Sequence, residues 1–120
     1  LFGNYTTNAS TDWLINTSTS TLQVLIDGST VRISTTVAAT TWYHIAVVRS
    51  GSTITGYLNG TSFGTYTSSS AVGSASKAIY IGNQGGSAQY LNGYLDSIRL
   101  TQAARYTANF TAPVDNPLYQ

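Results

Sequence analysis

The apolar residues of this chain fall in short runs that alternate with polar ones, and each run is closed by Gly, Asn, Asp or Ser. That period of two predicts antiparallel strands joined by tight turns, and no stretch shows a convincing helical period. Leu22, Val24 and Ile26 alternate with Gln23, Asp27-Gly28 supplies a turn, and Val31, Ile33 and Val37 share parity against Arg32, Ser34 and Thr36. This predicts a hairpin with one face in a core. Trp42 to Arg49 is apolar on both parities, which predicts a central strand covered on both sides with Trp42 in the core. Ser50-Gly51-Ser52 and Asn59-Gly60 turn the chain into strands at Thr53–Leu58 and Thr61–Tyr66, Asn-Gly being a strong hairpin signal because both residues tolerate positive φ. Residues 67–76 read as a loop, Ala78–Gly82 as a short strand, Asn83–Gln89 as a polar loop and Asn92–Thr101 as the last long strand. The segment from Ala103 is irregular, and Pro113 and Pro117 exclude a central strand there.

A length of 120 residues suits one domain. Charged residues make up only 8% of it, so hydroxyls and amides must solvate most of the surface, and the abundant Ser and Thr favour strands and turns. The five cations, Arg32, Arg49, Lys77, Arg99 and Arg105, are scattered singly and give a net charge of +1. A nucleic-acid binder typically sets about 6–10 phosphate contacts on one face, so nucleic acid is not the expected partner. Without cysteine the chain has no disulfide framework or thiolate metal site. No apolar run reaches the roughly 18–20 residues needed to span a bilayer.

Four segments, in order, resemble the laminin G-like, concanavalin A-like jelly-roll family: Trp42-Tyr43-His44-Ile45-Ala46-Val47-Val48-Arg49, Gly56-Tyr57-Leu58-Asn59-Gly60, Ile79-Tyr80-Ile81-Gly82 and Gly93-Tyr94-Leu95-Asp96-Ser97-Ile98-Arg99-Leu100. The resemblance implies an all-β antiparallel sandwich over residues 1–113 with a tail at 114–120, and places the family's opening strands before Leu1. Residues 104–113 look like the end of such domains in bacteriophage tail and virion proteins. That likeness implies a tail-fibre or capsid-decoration module at the virion surface, with other virion subunits, copies of itself, or glycans on host or environmental surfaces as partners. A secreted or cell-surface bacterial adhesion module is the alternative.

Sandwiches of this shape include glycoside hydrolases, which need an acid and a base or nucleophile at a set separation. The chain has no Glu, and its carboxylates are Asp12, Asp27, Asp96 and Asp115, so a non-catalytic module is expected and a glycan-cleaving enzyme is the lesser alternative. Asp27 is explained by its turn. Alternation puts Asp96 on the face of Ile98 and Leu100, where it should accept hydrogen bonds. The resemblance brings calcium into view, with Asp96 or Asp12 as the only candidate ligands, but calcium takes six or more oxygens, and no acidic pair is visible; no metal or other cofactor is predicted. His44, the single histidine, is expected in the core, while Trp13 competes with Leu14 of opposite parity for the inside. Sugar recognition needs an aromatic face beside amides on a loop at one rim. Asn83, Gln84, Gln89 and Tyr90 bring those residue types together and form the predicted ligand site.

Overall fold

The turn chemistry holds. Asp27 and Gly28 have φ of 59° and 99°, and Asn59 and Gly60 have φ of 50° and 82°, the left-handed region that hairpin turns use. In the computed structural model, which describes residues 2–5, 9–73, 76–84 and 89–114, these turns organise eight strands: β1 (Phe2–Gly3), β2 (Trp13–Ser18), β3 (Thr21–Ile26), β4 (Val31–Thr36), β5 (Ile45–Ser50), β6 (Thr53–Leu58), β7 (Thr61–Thr67) and β8 (Tyr80–Ile81). They form two antiparallel sheets, one in the order β4-β3-β2-β1-β8 and the other β5-β6-β7. The sheets pack as a sandwich, and no helix is present among the described residues.

The core lies between the two sheets. Val24, Ile26 and Ile33 come from β3 and β4, Ile54 comes from β6, and Val47, Phe63 and Tyr66 pack around them. Leu14 and Leu22 are buried as well, which settles the competition at β2: Leu14 turns inward, while Trp13 sits half-buried with Phe2 edge-on against it at 5.1 Å between ring centroids. The two sheets are also tied by hydrogen bonds. The Asp27 carboxylate in the β3–β4 turn accepts from the Tyr66 hydroxyl at 3.1 Å and the Ser68 hydroxyl at 3.0 Å, and the Arg32 guanidinium lies 4.7 Å from the centre of the Tyr66 ring. Asp27 is thus more than a turn residue.

Several elements differ from the sequence expectation for identifiable reasons. A bulge opposite Val24 and Leu25 inserts Arg32 as an extra residue, since Val24 pairs with Ile33 but Leu25 pairs with Val31. The shift reverses the parity of Val31, which is exposed, while Ile33 stays buried. The double-sided apolar run at Trp42–Arg49 yields an edge strand, β5, that starts only at Ile45 and pairs with β6 alone among the described residues. Trp42 lies before it and is 68% exposed rather than in the core. Residues 92–101 form no strand, because a strand exists only where a ladder partner lies alongside, and none does here. Tyr94, Leu95, Ile98 and Leu100 are accordingly exposed, and so is Asp96, which the alternation had placed on an inward face. β1 and β2 were not delimited by the alternation, because Trp-Leu-Ile-Asn-Thr-Ser keeps no clean period.

The C-terminal segment is irregular but anchored. Phe110 and Tyr106 stack with ring centroids 3.5 Å apart, and Phe110 meets the edges of Tyr57 at 5.3 Å and His44 at 5.6 Å. The Phe110 amide donates to the Gly60 carbonyl at 2.9 Å, and the Asn109 side-chain oxygen accepts from the Ser62 amide at 3.0 Å. A Cβ on Gly60 would run into the Phe110 carbonyl oxygen, and Gly60 already holds a positive φ. Gly60→Ala should therefore cost about 1–2 kcal/mol through the left-handed backbone alone. It should also release the tail, measurable as faster exchange of the Phe110 amide.

Candidate functional site

The predicted ligand residues are held by a short hairpin that leaves sheet strand β8. Gly82 follows β8 with φ of 80°, and its carbonyl accepts from the Leu91 amide at 2.8 Å. Beyond it Asn83 and Tyr90 form an antiparallel bridge, and the Gln84 amide donates to the Gln89 carbonyl at 3.2 Å. The tip, residues 85–88, lies outside the described residues. Directly opposed residues in such a ladder carry their Cβ atoms about 4.5–5.5 Å apart. The hairpin thus sets Asn83 beside Tyr90 and Gln84 beside Gln89, the grouping that the sequence predicts.

Within that group the Tyr90 ring is 68% exposed, whereas Asn83 is half-buried. The Asn83 side-chain oxygen is shielded from solvent and has no hydrogen-bond donor. An acceptor left so costs about 1–3 kcal/mol, a cost that an incoming hydroxyl donor would relieve. An exposed aromatic face beside an amide with an unmet acceptor is the combination that grips a pyranose: apolar ring face on ring, hydroxyls on amide.

The other candidates are placed elsewhere. The Asp12 carboxylate is buried, salt-bridged to the Lys77 ammonium, and accepts from the Ala9 amide at 3.1 Å. Next to it the buried Asn4 side chain accepts from the Trp13 amide at 2.9 Å, so this corner is a built hydrogen-bond knot. Asp96 is exposed and accepts from the Ser97 hydroxyl at 3.3 Å. Calcium does not fit either place: at Asp12 an ammonium already neutralises the carboxylate, and among the described residues no three potential metal-ligating side chains gather. Asp27 is engaged with Tyr66 and Ser68, and Asp115 lies outside the described residues. His44 is half-buried against Phe110, and its Nδ1 atom is shielded without a partner. Sequence reasoning did not anticipate the knot of Asn4, Asp12 and Lys77, because its members are separated by up to 65 positions and no spacing rule joins them.

Four of the five cations are engaged close to home. Lys77 pairs with Asp12, Arg32 and Arg105 lie over the rings of Tyr66 and Tyr106, and Arg49 donates to the carbonyls of Gly51, Ser68 and Ser70. Among the described residues no helix is long and apolar enough to cross a membrane.

Comparison with known proteins gives one family. The family model described as concanavalin A-like lectin/glucanases superfamily matches residues 2–109. No curated protein and no solved structure gives a significant match.

Proposed function

Because the chain belongs to the concanavalin A-like lectin/glucanases superfamily, we propose that it is a non-catalytic glycan-binding module whose site is the Asn83–Tyr90 hairpin. The observation that carries this reading is the bridge that sets the exposed Tyr90 ring against the unmet acceptor of Asn83. Tyr90 is the stacking platform, Asn83 receives a sugar hydroxyl, and Gln84 and Gln89 complete a polar rim. Affinity of such a small, solvent-facing site is modest, so repeated copies on one particle would raise it by avidity. We place the module at the surface of a phage virion, on a tail fibre or as a capsid decoration, on the strength of the resemblance of residues 104–113 to the ends of virion domains. An acid–base pair for glycoside cleavage finds no support, since Asp12 and Asp27 both serve the fold.

A glycan array probed with the purified domain, in calcium and in chelator, tests this. Tyr90→Ala should weaken binding about tenfold, a change of ~1.4 kcal/mol, and Asn83→Ala should act in the same direction. Chelator should change nothing, and no reducing sugar should be released from the bound glycans. Binding that both variants retain would remove the site from this hairpin.

A further inference from the structure

The outer edge of β5 is an unprotected strand edge. The Asn59 amide donates to the His44 carbonyl at 2.8 Å, which makes these two residues a hydrogen-bonded pair across the β5–β6 hairpin. Alternation then directs the amide and carbonyl groups of Ala46, Val48 and Ser50 to β6, and those of Ile45, Val47 and Arg49 away from it. Natural sheets blunt such an edge with lysine, proline, a bulge or a covering element. Ile45-Ala46-Val47-Val48 offers none of the first two, the β5–β6 register is unbroken along β5, and the one charge, on Arg49, is taken up by the carbonyls of Gly51, Ser68 and Ser70.

The edge faces a cleft walled on one side by residues 42–49 and on the other by residues 91–103. Its volume is about 2960 Å³, against roughly 300–1,000 Å³ for a small-molecule site, so it has the dimensions of a length of polypeptide rather than of a sugar or cofactor. Both walls are apolar. Trp42 and Ile45 are exposed on the first, and Tyr94, Leu95, Ile98 and Leu100 on the second. Residues 94–100 also keep the period of two that fits a strand, yet have no ladder partner.

We propose that this cleft takes a single extended strand of alternating apolar residues, supplied from outside residues 1–120, which hydrogen-bonds to the outward backbone groups of Ile45, Val47 and Arg49. Its apolar side chains cover Trp42 on one wall and the residues around Leu95 and Ile98 on the other. Main-chain bonds hold the strand, and alternate side chains set its register. A glycan cannot reproduce the regular row of donors and acceptors that the β5 edge presents, and a strand can.

The experiment uses the 120-residue chain and a library of nonapeptides with threonine alternating with valine, leucine or phenylalanine, read by amide hydrogen exchange. Alone, the Ile45, Val47 and Arg49 amides should exchange fast while those of Ala46 and Val48 are protected. Binding peptides should slow the three outward amides at least tenfold. The same peptides N-methylated at every second residue, which keeps their side chains and removes their edge bonds, should lose this protection. Ile45→Pro removes one outward donor and no inward one, and should weaken peptide binding about tenfold while Ala46 and Val48 stay protected. Two results would overturn the proposal: no library member protects the outward amides, or those amides are already slow in the chain alone, with sedimentation reporting a dimer in which a second copy holds the edge.

Discussion

Ile54→Ala should lower the thermal midpoint by about 10 °C or more, the result of a stability loss of about 2–5 kcal/mol. Ile54 is 2% exposed and is the one fully buried member of the core cluster that β6 contributes, facing Val24, Ile26 and Ile33 of the other sheet. Deleting three carbons there removes the transfer contribution and leaves a cavity that two hydrogen-bonded sheets cannot close by local adjustment. Ile54→Val, which keeps most of the volume, should lose only about 0.5–1.5 kcal/mol. If the alanine variant lost less than the valine range, β6 would not face β3 and β4 across the core.

Lys77→Met should cost about 3–5 kcal/mol at neutral pH, for a different reason. The Lys77 ammonium is the countercharge of a fully buried carboxylate, Asp12, and removing it leaves that charge in a low-dielectric setting. The double variant Asp12→Asn with Lys77→Met, which leaves no buried charge, should be more stable than Lys77→Met alone. Chemical denaturation of the three proteins gives the comparison, and a double variant worse than the single one would mean that Asp12 matters for its other contacts rather than for its charge.

Turns were the most legible part of the sequence. Asp27-Gly28 and Asn59-Gly60 carry their conformation in their own side chains, so β3, β4, β6 and β7 fall where period and turn place them. The bulge at Arg32 was not legible, because one inserted residue changes the face of Val31 without changing its chemistry. Nor was the edge position of β5. An apolar run on both parities reads as a strand covered on both sides, and nothing in Ile45–Ser50 itself tells whether the second neighbour lies within the chain. The same missing neighbour explains why Trp42 and residues 94–100, apolar enough for a core, stand exposed.

The candidate site divides in the same way. Asn83, Gln84, Gln89 and Tyr90 could be grouped from sequence because they lie within eight positions and a hairpin folds them together. What the sequence could not supply is the inequality between them: an exposed Tyr90 ring and an Asn83 oxygen shut away without a donor. The Asp12–Lys77 pair, by contrast, depends on β1, β2 and the segment before β8 meeting at one corner, a long-range outcome that local pattern does not carry.

The most direct measurement is a titration of the isotope-labelled domain with the oligosaccharides of a glycan panel, following the side-chain amide signals of Asn83, Gln84 and Gln89 together with the backbone amides of β5. The account predicts that a binding sugar shifts the signals of residues 83–90 and leaves those of Ile45, Val47 and Arg49 unmoved. Shifts confined to β5 and residues 92–101, or none with any sugar of the panel, would contradict it.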